Sequence, residues 1–157
     1  MAEGTLELDG VVEERKQYIV VNIGDEQYGI DIFIVDNIVR MLKITRVPKS
    51  PEYYRGVINL RGEVVPVMSV RRKMGLEDDV IDNKSRIIVL RLEEQGLVGL
   101  LVDEVKQVIT LAESEIDRNV RNSKRSDAIY INGIGKNEDE LVSLFEISAI
   151  VEEMPVS

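Results

Sequence analysis

Residues 56–70 read GVINLRGEVVPVMSV, two apolar runs, VINL and EVVPVMSV, joined by Arg61-Gly62. A two-residue corner ending in glycine between runs rich in valine and isoleucine is a β-hairpin signal. The outline returns at 133–147 as GIGKNEDELVSLFEI, with Gly133 77 residues after Gly56 and apolar positions aligned throughout. Upstream, YIVVNI at 18–23, the turn Gly24-Asp25-Glu26 and QYGIDI at 27–32 form a second hairpin pattern. It is repeated by RIIVLRL at 86–92, the turn Glu93 to Gly96 and LVGLLV at 97–102. Two similar halves, each with four or five short strands, predict an internal duplication into a pair of small β-barrels, an architecture that removes exposed strand edges. The first barrel is expected over about 16–77 and the second over about 84–147, joined by a polar connector containing Asp78, Asp79, Asp82 and Asn83.

Smaller elements fill the outline. VDNIVRML places Val35, Ile38, Val39 and Leu42 at helix-like spacing, which predicts a helical turn or two. SPEYYR suits a short helix with Ser50 as cap and Pro51 at its first position. Ser69 can cap the turns of VRRKM, and Gly75 can end them. A C-terminal helix is expected over about 144–153, and residues 1–15, acidic with few large apolar side chains, read as a flexible tail.

Composition agrees and excludes much chemistry. The 157 residues include 22 Val and 18 Ile, a β-branched load that favours strands, and no Cys or His. Disulfides, thiolate sites and cysteine nucleophiles are therefore ruled out, and the commonest general base and metal ligand are missing. A net charge of −9 opposes the phosphate contacts of nucleic-acid binding, and no apolar run reaches the length of a membrane span. The N-terminal stretch MAEGTLELDG lacks a signal-peptide layout, so a cytoplasmic location without membrane insertion is expected.

Catalytic and ligand motifs are present only in weak form. GIGK at 133–136 lacks the spacing of a phosphate loop, and the following Asn137-Glu138-Asp139 would repel phosphate. The same acidic cluster lacks the ligand spacing of a calcium loop. Arg118, Arg121, Lys124 and Arg125 form a basic stretch with no interleaved aromatic residue, and Asp78-Asp79 are too close in sequence to converge as an acid/base pair. No catalytic residue, metal site or cofactor is expected. The repeat offers a better handle, because Arg61-Gly62 occupies the corner that is acidic in the second half. An arginine at a hairpin tip has no core role and suits an interface.

The chain resembles the CheW-type chemotaxis coupling domain from about Gln17 to about Val151. The likeness is carried by GVINLRG, VVPVMSVRRKMGL, GDEQYGIDIFIVDNI, ITRVPKSPEYYRGV and VGLLVDEVKQV. It implies a single domain, 16–157, of two SH3-like five-stranded β-barrel subdomains with a few short helices. The implied function is that of a non-enzymatic adaptor linking the cytoplasmic tip of a chemoreceptor to the regulatory domain of the histidine kinase CheA. The chain length favours a free-standing coupling protein, recruited from the cytoplasm to membrane-bound receptor arrays. The alternative class is a small β-barrel that binds an oligonucleotide or oligosaccharide, which the 4% aromatic content disfavours.

By the same resemblance, a helical receptor tip docks in an apolar groove between the barrels. Val35, Asn37 and Ile38 are expected on one side and Leu101, Val102 and Val105 on the other, with Gly56 and Arg61 near the rim. Relatives often carry an acidic residue where this chain has Asn37, so a contact with a basic partner would fall to Asp36 or weaken. The kinase is expected at a barrel end of the first half, around Arg55, Val57, Gly62, Glu63 and Val65.

Overall fold

Alternation of β-branched and polar residues decides most elements of the structure, a computed structural model that describes residues 4–8, 11–122 and 125–152, with side chains from Glu13 onward except at 121 and 122. The strands are β1 (Gly4–Leu8), β2 (Val11–Ile23), β3 (Glu26–Asp31), β4 (Val35–Arg40), β5 (Tyr54–Leu60) and β6 (Glu63–Ser69), followed by the helical turn α1 (Val70–Lys73). The second half supplies β7 (Arg86–Leu92), β8 (Gly96–Val102), β9 (Glu104–Ala112), β10 (Ile116–Asp117), β11 (Ile131–Asn137) and β12 (Glu140–Phe145), then the turn α2 (Ile147–Ile150).

The four hairpins form as the repeat indicates: β2–β3, β5–β6, β7–β8 and β11–β12 all pair antiparallel. Their assembly differs from two consecutive barrels. The chain divides into two units that interleave in sequence, one holding the residues up to Phe33 with Lys106–Ala149, the other Ile34–Val105 with the chain from Ile150. The boundaries 16–77 and 84–147 are thus corrected: each unit combines a hairpin from one repeat with a hairpin from the other. In the first unit β12 lies parallel to β3, Ser143 opposite Tyr28. In the second, β6 lies parallel to β8, Val67 opposite Gly99.

The sheets are open, which corrects the expectation of closed five-stranded barrels. The first runs β1-β2-β3-β12-β11-β10 with β9 also on β2, and the second runs β4-β7-β8-β6-β5. A single bridge, Thr45 to Val57, brings the chain beyond β4 against β5. Core residues come from both repeats in each unit. Tyr18 and Val20 pack with Ile109, Leu111, Ile116, Val142 and Leu144 in the first. Ile58, Val65 and Val67 pack with Ile87, Val89, Leu97 and Leu101 in the second.

Four local expectations are overturned. VDNIV is strand, not helix, with Val35, Asn37 and Val39 turned inward and Asp36, Ile38 and Arg40 outward. Residues 52 and 53 form a turn where a helix was expected, because Tyr54 already begins β5 opposite Met68, while the Ser50 hydroxyl donates to the Val47 carbonyl at 2.7 Å. The N-terminal stretch is not a free tail: β1 pairs antiparallel with the start of β2, Thr5 opposite Glu14. The C-terminal helix is one turn, and Phe145 ends β12 instead, its ring stacked on Tyr28 at 4.6 Å. By contrast Ser69 does cap α1, accepting from the Arg72 N–H at 3.0 Å, and Gly75 takes φ 74° after it.

Candidate functional site

The β5–β6 corner is a two-residue turn closed by Leu60 opposite Glu63. Arg61 at φ 51° and Gly62 at φ 86° both take the left-handed conformation, the geometry whose twist matches that of the flanking strands. The Asn59 carbonyl oxygen of the side chain accepts from the Gly62 N–H at 3.1 Å and fixes the corner. Arg61, Gly62, Glu63 and Val64 are all exposed, Val64 by 61%. In the sequence Val64 sits inside an apolar run that hides its exposure. The signal was there, since strand alternation sets it outward once Val65 is inward, and Leu141 is likewise 61% exposed at the matching corner. Glu138 repeats the left-handed backbone of Arg61 at φ 58° but Asp139 does not repeat that of Gly62, so the two corners differ in their second residue as well as in charge.

Behind the corner lies a charged network that locks the connector onto the hairpin. Asp79, its side chain only 3% exposed, accepts from the Ser69 hydroxyl at 2.6 Å and from the Arg55 guanidinium at 3.2 Å. Arg72 forks onto Asp78 at 2.7 and 2.9 Å. That hydrogen-bonded guanidinium holds the Asp78 carboxyl well below its ordinary value, further helped by the Asp79 N–H. Arg71 forks onto Asp103 at 2.9 and 2.6 Å at the end of β8. Asp78 and Asp79 therefore both serve as anchors, Arg55 reaching Asp78 as well at 3.7 Å. Among the described residues no group of three or more acidic, His or Cys side chains is arranged to hold a metal.

The residues expected to meet a receptor are brought together in a way the sequence did not indicate. Val35, Asn37 and Ile38 on β4, and Leu101, Val102 and Val105 at β8–β9, were assigned to opposite sides of a groove, yet all belong to the second unit. Ile38 is exposed and Val35, Asn37 and Val105 are half-buried, whereas Leu101 and Val102 are each 1% exposed. Those two are core residues and shape a surface only from beneath. Gly56 is buried as well, with φ 137°, and a β-carbon there would lie 2.2 Å from the Thr45 carbonyl oxygen. Its glycine is required by backbone approach at the Thr45–Val57 bridge.

Asp36 is engaged within its own unit, both nitrogens of an Arg91 fork reaching one of its oxygens at 3.0 and 3.2 Å. The Asn37 side-chain oxygen accepts from the neighbouring Ile38 N–H at 2.9 Å. Of the residues expected to meet the kinase, Gly62 and Glu63 are exposed and Val57 and Arg55 are half-buried, Arg55 being held by Asp79. Val65 is fully buried in the core of its unit.

The other candidates stay local. GIGK ends β11, and Glu138-Asp139 is an exposed turn. Arg118 pairs with Glu113 and Arg125 forks onto Asp127, so these cations close loops of their own unit. Lys124 and the Arg121 side chain lie outside what the structure describes. Asp127 also accepts from the buried Tyr28 hydroxyl at 2.8 Å. Burial and that carboxylate together raise the Tyr28 pKa, while burial of Asp127 is outweighed by Arg125 and Tyr28, leaving its carboxyl below the ordinary value.

Comparison with known proteins agrees with this architecture. The CheW-like domain family matches residues 17–154. The chain is 36% identical to the chemotaxis protein CheW of Helicobacter pylori over 142 residues, covering 90% of this chain and 84% of that one. It is 32% identical to the chemotaxis protein CheW of Bacillus subtilis, covering 90% of each. The crystal structure of the scaffolding protein TtCheW from Thermoanaerobacter tengcongensis superposes with a TM-score of 0.78 at 31% identity, covering 87% of both chains. With its two open sheets, its exposed arginine corner and a match that spans both repeats, the chain belongs to the CheW-like domain family.

Proposed function

We propose that this protein is a non-enzymatic adaptor that couples the cytoplasmic tips of chemoreceptors to the regulatory domain of the histidine kinase CheA. The observation that carries the reading is the β5–β6 corner, which presents Arg61 beside the exposed Val64 and Glu63 while Arg55, Arg71 and Arg72 of the same unit are each held by an aspartate. A directed cation next to exposed aliphatic surface is a composition that interfaces favour. Family membership and the scaffolding role named for TtCheW support the same reading.

The receptor contacts in this proposal are Arg61 with Ile38, Asn37, Val35 and Val105. The kinase contacts are Gly62, Glu63, Val57 and the outer edge of Arg55. Leu101, Val102, Gly56 and Val65 hold these surfaces in shape and touch neither partner. In this reading the two surfaces adjoin at the β5–β6 corner and are distinct beyond it, the receptor surface running from Arg61 to β4 and Val105 and the kinase surface from Gly62 and Glu63 along β5. Among the described residues no helix is long and apolar enough to cross a membrane, so attachment to receptor arrays is by protein contact in this reading. Isothermal titration against a receptor tip fragment and, separately, the kinase regulatory domain tests it. Binding to both at about micromolar strength is expected, and failure to bind either one overturns the adaptor role.

A further inference from the structure

From Asn37 to Pro51 the chain contains no acidic residue, although Asp and Glu number 29 in a protein of net charge −9. The same stretch carries Arg40, Lys43, Arg46 and Lys49, all of them exposed. None of the four enters a salt bridge among the described residues, whereas Arg55, Arg71 and Arg72 of the same unit are each held by aspartate. Arg40 even stands directly across from Arg86 in the β4–β7 pair, a like-charge register that weakens a sheet unless something else offsets it. Acidic side chains are abundant elsewhere and are withheld here.

The strip is also held still. Val39, Met41 and Ile44 pack against the core of the second unit, and Thr45 exchanges two backbone hydrogen bonds of 2.8 Å with Val57. Arg40 and Lys43 lie between these anchors and are therefore displayed from a fixed backbone, which lowers the ordering cost of binding, while Arg46 and Lys49 follow the Thr45 bridge. Between them Leu42 and Val47 are each 39% exposed. Arg46, Val47 and Lys49 line a cleft of about 650 Å³ together with Arg55 and Arg72, and Glu52 is the one acidic residue in its lining.

We infer that residues 40–49 are a docking strip for an acidic protein segment that also carries aliphatic side chains. Charge complementarity selects the acids, and Leu42 and Val47 select the aliphatic groups between them. A short segment fits better than an extended polyanion. At physiological ionic strength charges separated by more than about 8 Å are screened, so a peptide responds to the local strip. A membrane or a nucleic acid would also face the remaining acidic surface, and the one aromatic residue of the cleft, Tyr54, is 8% exposed and offers no stacking platform. This inference does not depend on the receptor and kinase contacts proposed above.

The test uses the full chain and a fluorescein-labelled octapeptide of alternating Glu and Leu, followed by anisotropy at low and high salt. Saturable binding is expected, weakening at least fivefold between about 50 and 200 mM salt and at least tenfold in R46E/K49E, with unchanged melting. The pair R40E/K43E supplies an independent variant if the first melts early, and K136E, on an exposed lysine of the other unit, is expected to leave binding unchanged. Equal binding by wild type and both strip variants would overturn the inference. So would tighter binding to phosphatidylserine vesicles or to oligothymidine than to the peptide.

Discussion

Replacing Gly56 by alanine tests how the second unit is held together. The residue sits at φ 137°, and its new methyl group would lie 2.2 Å from the Thr45 carbonyl oxygen and 2.8 Å from the carbonyl carbon. Neither atom belongs to a flexible side chain, so the backbone must give way. A non-glycine residue forced into this region costs about 1–3 kcal/mol. Displacing Thr45 also breaks its two bonds with Val57, each 2.8 Å long, at about 0.5–1.5 kcal/mol apiece. The expected loss is about 3–5 kcal/mol, or roughly 10 °C in melting temperature for a chain of this size. Gly62→Ala is the comparison, because Gly62 has φ 86° with nothing within 4 Å of the added atom; only the left-handed backbone is penalised there, by about 1–2 kcal/mol. Urea unfolding followed by circular dichroism measures both. Equal stability of the two variants would refute the steric reasoning and return Gly56 to the surface role suggested by resemblance.

Other perturbations separate the network from the binding corner. Arg61→Ala is expected to change stability by no more than about 0.5 kcal/mol, yet to weaken receptor-fragment binding by about 2 kcal/mol, roughly thirtyfold; Glu138→Ala at the matching corner serves as a neutral control in the same titrations. Asp79→Ala leaves the buried Ser69 hydroxyl and the Arg55 guanidinium without their acceptor and is expected to cost about 2–3 kcal/mol in urea unfolding. Asp78, Glu113 and Asp127 are all held below their ordinary carboxylate values when folded. Their contribution is therefore complete above the unfolded value of about 4 and is lost as pH falls through the lower folded values. Melting temperature is expected to stay flat from about pH 7 to 5 and to drop below about 4; a rise on acidification would contradict the signs of these shifts.

The hairpins were legible because their signals are local. YIVVNI and QYGIDI declare strands by residue type, and Arg61-Gly62 declares its turn. β4 was misread because Ile38 faces outward and Asn37 inward, so apolar side chains fall at 35, 38, 39 and 42, mimicking a helix face. The repeat itself was visible, but not the exchange of hairpins between units. That exchange rests on the parallel contacts of Tyr28 with Ser143 and of Gly99 with Val67, and local periodicity carries no record of such distant pairing. Resemblance placed Leu101, Val102 and Val65 at interfaces, and periodicity could not correct it. A valine or leucine in a strand reads alike whether its face meets a partner or the core, and only packing distinguishes them. The anchoring of Arg55 by Asp79 was hidden for a related reason, since the connector gave no sign of folding back on Ser69.

Simultaneous binding is the most direct test of the adaptor role. A receptor tip fragment is titrated into the full protein alone and then into protein saturated with the kinase regulatory domain, with heat as the readout. Two separate faces predict that the receptor Kd, about micromolar in both titrations, changes by less than about threefold, with one receptor site per protein retained. An apparent Kd that climbs in proportion to the concentration of the kinase domain would mean that the two partners compete for one surface, and would contradict coupling by this chain.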